Sequence, residues 1–379
     1  MVSIGEIVVV MEKLTVIGLG KLGICNALIF ERSGFDIFGV DLSQEYCDQL
    51  NNKEPIFEEP YVNEYLLDSQ YFKASTSLSD GLSFSDTIFI VVDTPNGGEE
   101  EHYDHSNLTS LLKGINENRV SNKHLIICCT VMPGYITNTA KPLLRNCLNV
   151  SVNYNPEFIA QGNIIRSFEN PDMVLIGEDS KEAGDVIQSI YEKACNNQPY
   201  FARVSPLEAE IAKIGVNGFI TTKLSYANMI GDLCDNLGVD KNEVLQVIGS
   251  DSRIGNKYFR AGYSYGGPCF PRDTKALSKV LKREGISTIL PDATGSYNEL
   301  HIQYHVARML QSDQEVFVIE DVCFKENCPV SIIEESAKLK IASILVKQHG
   351  KKIIIKDREA VIDMVKAEYS GLFEYEITN

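Results

Sequence analysis

No apolar run in these residues reaches the roughly 20 that a membrane-spanning helix needs, which sets aside membrane spans within this stretch. Positive charge is scarce as well. Against 52 Asp and Glu there are 35 Lys and Arg, for a net charge of −17. That balance argues against nucleic acid and against an anionic membrane surface as partners. It leaves room for a small anionic ligand, since a few local cations and backbone amides suffice to bind phosphate. Met1–Val10 has no basic start and no small-residue cleavage site, so it is not expected to act as a signal peptide, and Met11 could serve as the natural start. The ten cysteines lack disulfide-like or zinc-like spacing: Cys128 and Cys129 are adjacent, Cys323 and Cys328 five apart. Free thiols in a reducing cytoplasm, with no metal site, are the simplest account. No internal repeat and no low-complexity segment is visible.

A hydrophobic content of 44% supports ordinary packed cores. At 379 residues there is room for two or three domains of about 150 residues each. Leu14–Ile17 is a short apolar, partly β-branched run, and Gly18-Leu19-Gly20-Lys21-Leu22-Gly23 follows at once. A helical stretch extends to about Ser33, Gly34 ends it, and Ile37–Val40 makes the next strand, closed by Asp41. Strand, glycines, helix, strand and terminal acid in this order predict a dinucleotide-binding fold. The glycines let the backbone approach a pyrophosphate at the helix N-terminus. Asp41 would accept hydrogen bonds from the adenosine ribose. No arginine follows it directly, which favours NAD over NADP.

Alternation of strands and helices continues. Thr87–Val92 reads as a buried strand ending at Asp93-Thr94-Pro95, and Leu125–Cys129 as another ending at Thr130–Gly134. Functional groups in open α/β sheets gather at the carboxyl ends of strands. Thr130 would hold a nicotinamide or a water there, or simply cap a turn. The acidic tract Gly97–Glu101 reads as a solvated loop. Val150–Tyr154 leads into Asn155-Pro156-Glu157-Phe158, where Glu157 is either a general base or a surface acid after a turn. Ser205-Pro206-Leu207-Glu208 starts a long helix reaching about Leu237. On it Lys213 and Asn217 share a face. They are an oxyanion partner or proton handler if partly buried, or a solvated stripe if not. A second helix starts near Lys241, followed by a loop with the cations Arg253 and Lys257. From about Val316 the strands Val316–Ile319 and Lys352–Ile355 flank a helix from Ile333 to Gln348, a small βαβ-type unit.

The most distinctive stretch is Gly266-Gly267-Pro268-Cys269-Phe270-Pro271-Arg272-Asp273. Glycine and proline fix the backbone path there, so the thiol is held in a defined place. A thiolate is a strong nucleophile, and a nearby positive charge lowers a thiol's pKa. A buried cysteine beside a turn is the plain alternative.

Together these segments resemble the nucleotide-sugar 6-dehydrogenases, and within them the UDP-glucose 6-dehydrogenases most closely. The resemblance runs from about Leu14 to Leu277. It rests on Gly18–Gly23, Asp41, Pro55-Ile56 with Glu58-Glu59-Pro60, Thr94-Pro95, Thr130–Gly134, Asn155–Phe158, Lys213 with Asn217, Arg253-Ile254-Gly255 and Gly266–Asp273.

The resemblance implies an α/β protein with three parts. These are an N-terminal Rossmann-type NAD-binding domain (11–204), a central helical part carrying the cysteine loop and a dimer surface (205–300), and a smaller C-terminal α/β domain for the nucleotide sugar (301–379). It implies two NAD+ and a four-electron oxidation of a sugar C6 alcohol, with UDP-glucose becoming UDP-glucuronate through a Cys269 thiohemiacetal and thioester. Lys213 and Asn217 would stabilise the oxyanion, while Glu157, Asp273 and Thr130 would handle protons or water. NAD would meet Gly18, Gly20, Leu22, Gly23, Asp41, Thr94, Pro95 and Thr130. The UDP-sugar would meet Phe158, Ile159, Lys213, Asn217, Arg253, Lys257, Tyr258, Gly266, Phe324 and Lys325.

Two departures stand out. Glu334-Glu335-Ser336 replaces the family's Arg-Glu-Ser, and the chain ends at Asn379 without the strand and terminal arginine that usually complete the nucleotide site. Alternatives are a GDP-mannose or UDP-N-acetylhexosamine enzyme, a one-NAD 3-hydroxyacid dehydrogenase, or a non-catalytic nucleotide-sugar sensor.

Overall fold

The computed structural model describes residues 11–97 and 103–378. Met1–Val10, and all of the acidic tract Gly97–Glu101 except Gly97, lie outside the described residues. The chain divides into two compact units, 1–213 and 214–379.

The first unit is built on one sheet: β1 (Glu12–Ile17), β2 (Phe35–Val40), β3 (Phe72–Ser75), β4 (Thr87–Ile90), β5 (Ser121–Ile127), β6 (Leu148–Tyr154), β7 (Met173–Gly177) and β8 (Tyr200–Val204). Their order is β3-β2-β1-β4-β5-β6-β7-β8. The first six run parallel, with Leu14 opposite Ile37 and Thr15 opposite Ile88. That is the doubly wound order, reversing direction beside β1. β7 joins antiparallel at Tyr154 and Gly177, and β8 is parallel to β7.

Strands covered on both faces need continuous apolar runs, and β4 is buried at all four positions. One face packs Leu14, Val16, Ile24, Phe30 and Phe89, and the other Ile17, Ile88, Leu112, Ile127 and Tyr154. Each fully buried Ile, Leu or Phe contributes on the order of 1.5–3 kcal/mol. The run expected to continue to Val92 leaves the ladder after Ile90. Val91 turns against Gly18 so closely that a Cβ on that glycine would stand 2.6 Å from the Val91 carbonyl oxygen.

The helix Lys21–Arg32 is buried continuously from Gly23 to Glu31, so it packs nearly all round. The short helix Ile164–Glu169 has no side-chain cap from its own Asn163. The Glu59 carboxylate supplies one instead, accepting the Gly162 and Ile164 amides at 2.7 Å each.

The helix Pro206–Leu237 continues into the second unit. There follow helices Lys241–Gly249, Phe270–Arg283 and Ile289–Met309. A parallel sheet comes next, ordered β11-β10-β9, from β9 (Val316–Glu320), β10 (Lys352–Asp357) and β11 (Glu374–Ile377). The helix expected from Ile333 starts at Ala337 because Ser336 caps it, accepting the Leu339 amide. β11 is a strand that the sequence reading of this unit did not include. Its Glu-Tyr-Glu-Ile sequence is mostly exposed, and an edge strand of this kind carries charges in place of an apolar run. No helix among the described residues is long and apolar enough to cross a membrane.

Close approach makes Gly23 irreplaceable, since a Cβ there would stand 1.8 Å from the Gly18 carbonyl oxygen. Gly23→Ala is expected to destabilise the first unit by about 2 kcal/mol, lowering its melting midpoint by roughly 4–8 °C. A thermal melt followed by circular dichroism checks this.

Candidate active site

At the end of β1 the chain turns through Gly18, whose φ of +89° favours glycine. The Asp41 carboxylate holds the turn, accepting the Leu19 amide at 2.9 Å and the Ser43 amide at 3.2 Å. Tyr46 braces it from beneath through a 2.8 Å bond to the Leu19 carbonyl. Gly20 caps the helix Lys21–Arg32 without a side-chain bond, and a Cβ there would meet nothing within 4 Å. No acid occupies that helix's first turn, Lys21 is exposed, and Leu22 packs against the core. An open helix N-terminus free of carboxylates suits a pyrophosphate. Asp41 has only part of its acceptor capacity in use, which suits a ribose. These residues fit a dinucleotide. Where β4 and β5 end, the buried Thr94 hydroxyl donates to the Thr130 carbonyl at 2.9 Å, and Pro95 is exposed.

Glu157, after β6, is no surface acid. Its carboxylate accepts from the Tyr191 hydroxyl at 2.9 Å and from the Asn26 amide at 3.3 Å. The same hydroxyl also lies 2.7 Å from the Asn155 side-chain oxygen, so its one proton is shared between the two acceptors. Burial pushes the Glu157 carboxyl up to about 7, against the opposing pull of Tyr191, Lys213 and Asn26. A carboxyl titrating there is matched to proton transfer near neutral pH.

Lys213 and Asn217 are each only 7% exposed, so they are not a solvated stripe. The Lys213 ammonium donates to the Glu157 carbonyl at 2.6 Å and lies 4.5 Å from the centre of the Phe158 ring. Ile159 packs against the core beside it in sequence. One turn on, the Asn217 amide donates to Asp273 at 2.6 Å. Asp273 is 1% exposed and also meets Arg272 at 3.3 Å. A hydrogen bond to a buried charge of this kind contributes about 1.5–3 kcal/mol.

Cys269 is exposed, which removes the alternative of a buried turn cysteine, and it stands at the N-cap of Phe270–Arg283. Its carbonyl accepts the Asp273 amide at 2.8 Å. The cysteine loop is fixed from the other side too. Gly267, at φ +81°, donates its amide to the Glu334 carbonyl at 3.0 Å, and a Cβ there would stand 2.5 Å from the Phe324 ring. Gly266 leaves equally little room, facing the Glu335 carbonyl. The Lys325 ammonium lies 5.6 Å from the centre of the Phe324 ring.

Arg253 is bound in its own loop by Asp251, at 2.6 Å. Lys257 and Tyr258 are exposed, Tyr258 with its ring edge-on to Phe270 at 6.2 Å. Lys223 organises this loop, donating to the carbonyls of Ile254, Gly255 and Lys257.

Several supporting residues escaped the sequence reading. Glu210 accepts the Gly134 and Ile136 amides at 2.6 and 2.8 Å. Thr221 pairs with Thr274 at 2.9 Å. His105 stacks on Tyr135 at 4.4 Å and is held down to about 4 by burial, so it is a neutral ring that accepts the Met132 amide. The available signal was a polar residue inside an apolar helical run, as Asn26 is within Ile24–Ile29.

The sheet order and glycine turn define a dinucleotide-binding dehydrogenase fold. Two family models match in sequence order. The NAD binding domain of the UDP-glucose/GDP-mannose dehydrogenase family covers residues 12–195, and the central domain of the same family covers 207–300. The chain belongs to that family, and its first unit carries the family's NAD-binding domain.

A UDP-glucose 6-dehydrogenase of Pseudomonas aeruginosa is 29% identical over 76% of this chain, which spans 65% of that relative's length. A GDP-mannose 6-dehydrogenase of Pseudomonas savastanoi pv. phaseolicola is 27% identical over 88% of this chain and 78% of its own. Among solved structures, a UDP-glucose dehydrogenase from Pyrobaculum islandicum superposes with a TM-score of 0.88 at 26% identity, covering 100% of this chain and 88% of that one.

The Glu157 carboxyl gives a pH signature. Its folded value, about 7, lies above the ordinary 4.5, so the fold favours the protonated form. Its stabilisation is complete below about pH 4.5 and is lost as pH rises through about 7, on the order of 1.4 kcal/mol per unit. Glu157→Gln is therefore expected to remove about 2–3 kcal/mol of the stability lost between roughly pH 5 and pH 8. Denaturant melts of both proteins at the two pH values check it.

Proposed function

We propose that this chain is an NAD-dependent nucleotide-sugar 6-dehydrogenase, and that it oxidises UDP-glucose to UDP-glucuronate for polysaccharide synthesis in the cytoplasm. The observation that carries the reading is the exposed Cys269 at a helix N-terminus, with the buried Asp273 bonded to Asn217 one helical turn along. NAD, when bound, supplies the hydride acceptor for both oxidations. The chain's own residues do the rest.

The Cys269 thiol adds to the C6 aldehyde and forms a thiohemiacetal, which keeps the aldehyde from escaping. Oxidation of that adduct gives a thioester, and water hydrolyses it to the carboxylate and the free thiol. Lys213 stabilises the oxyanion, with Asn217 beside it. Glu157, near its midpoint at neutral pH, takes protons; Asp273 and Thr130 orient water. Gly18, Gly20, Leu22, Gly23, Asp41, Thr94, Pro95 and Thr130 hold NAD. Phe158, Ile159, Arg253, Lys257, Tyr258, Gly266, Phe324 and Lys325 meet the nucleotide sugar. The helix Pro206–Leu237 carries the dimer surface: Phe219, Tyr226, Leu233 and Leu237 recur at helical spacing and are exposed, Phe219 by 66%.

GDP-mannose is the second substrate reading, supported by the 27%-identical GDP-mannose relative. Both family models belong to the nucleotide-sugar enzymes, so a 3-hydroxyacid dehydrogenase is not favoured.

NADH yield on limiting UDP-glucose tests the reading. About two NADH per sugar are expected from the unaltered chain, with Cys269→Ser losing the full yield. One NADH per sugar, unaffected by the substitution, would sink the thioester route. A yield with GDP-mannose alone would move the substrate.

A further inference from the structure

Cys323 and Cys328 take part in none of the groups described so far. They lie just after β9, five residues apart, with Phe324 and Lys325 between them. Both are buried in the core of the second unit's sheet, at 7% and 8% exposure. Asp321 and Asn327 have φ of +52° and +51°, so the backbone turns sharply beside each cysteine. Each thiol is the largest influence on the other's ionisation, and one guanidinium, that of Arg358, touches both the Cys323 sulfur and the Cys328 carbonyl, so the two side chains are neighbours.

Cys323 also reaches the Val330 carbonyl at 3.7 Å. Arg358 clamps the turn. It donates to the Pro329 and Cys328 carbonyls at 3.0 Å each and lies 4.0 Å from the Cys323 sulfur. Cys323, helped by Lys325 and Arg358, holds the Cys328 thiol below its ordinary value, while Cys323 is pushed up.

We propose that Cys323 and Cys328 form a peroxide-driven disulfide that resets the Phe324–Lys325 segment and weakens nucleotide-sugar binding. This rests on the substrate role proposed above for those two residues. The Cys328 thiolate attacks one oxygen of hydrogen peroxide and expels hydroxide, giving a sulfenic acid. The Cys323 sulfur then attacks that sulfur; the S–O bond breaks and water leaves with the thiol proton. In all, two thiols and one peroxide become one disulfide and two waters. The sulfurs are oxidised and the peroxide is reduced. Hydrogen peroxide is small enough for a buried pair.

Closing the bond draws the sulfurs together to about 2.05 Å. Phe324 lies between them in the chain, its ring against Gly267 with no slack for even a methyl group. The contraction therefore moves Phe324 off the cysteine loop and strains the bond from the Gly267 amide to the Glu334 carbonyl.

The test uses the full chain carrying Cys269→Ser, which removes the exposed thiol from the oxidation. After hydrogen peroxide, mass spectrometry should find the peptide holding Cys323 and Cys328 lighter by two hydrogens. Calorimetry should find UDP bound at least about fivefold more weakly, restored by dithiothreitol. The same chain with Cys328→Ser added should show neither change. Absence of the mass loss overturns the proposal, and so does a disulfide that leaves affinity unchanged. If the reduced protein binds no UDP, the substrate reading has failed, and hydrogen exchange at the Gly267 amide decides. Faster exchange on oxidation supports the switch, and unchanged exchange overturns it.

Discussion

A polar group taken out of water must find a partner, and the helix Pro206–Leu237 is arranged around that requirement. Glu210, Lys213, Asn217, Thr221, Ser225, Asn228 and Asp232 follow one another at intervals of three or four residues, which is one helical face. Within the first unit they are bonded to loop segments, and within the second mainly to the helices Phe270–Arg283 and Ile289–Met309. Glu210 takes two loop amides, Lys213 a carbonyl, Asn217 a carboxylate, Thr221 a hydroxyl. Further on, Ser225 donates to the Thr294 carbonyl, Asn228 accepts the Gly262 amide, and Asp232 accepts from Tyr297. A helix with an apolar stripe would only need to be covered. This one needs each partner segment at a particular place, because a misplaced one leaves a buried group unsatisfied.

The cysteine loop follows from the same constraint. Asp273 is almost wholly buried, and its bond to Asn217 fixes the first turn of the helix that Cys269 caps. On the other side, Gly266 and Gly267 lie flush against the backbone of Glu335 and the ring of Phe324. The segment Glu334–Ser336 has structural duties in this chain. Glu334 takes the Gly267 amide, Glu335 pairs with Lys340 at 2.6 Å, and Ser336 caps a helix.

What could be read beforehand was what is local. The glycine turn with Asp41, the long helix from Ser205 and the strands β1, β2, β4, β5 and β6 all announce themselves within windows of a few dozen residues, whereas the short, half-exposed β3 does not. Glu157 stayed open because its partners, Asn26 and Tyr191, lie 131 and 34 residues away, and burial is decided by them. Lys213 and Asn217 were legible as a pair but not as buried, since the groups that enclose them come from other segments. The contact between Phe324 and Gly267 had no sequence signal: a glycine beside a proline reads as a turn, and only the fold shows what lies against it. β11 escaped because its exposed edge carries glutamates where a strand is usually sought by its apolar residues.

The Glu59 cap has a consequence for the stability of a distant segment. The helix Ile164–Glu169 is six residues long, far below the length at which a helix holds itself in water. Its first amides depend on a carboxylate more than 100 residues earlier in the chain. Besides that carboxylate, the turn of helix rests on the packing of Ile164, Ile165 and Phe168 in the first unit's core, which is also built from distant segments. Its stability is therefore borrowed from the rest of the first unit, and a change at Glu59 would be felt at a helix more than 100 residues away.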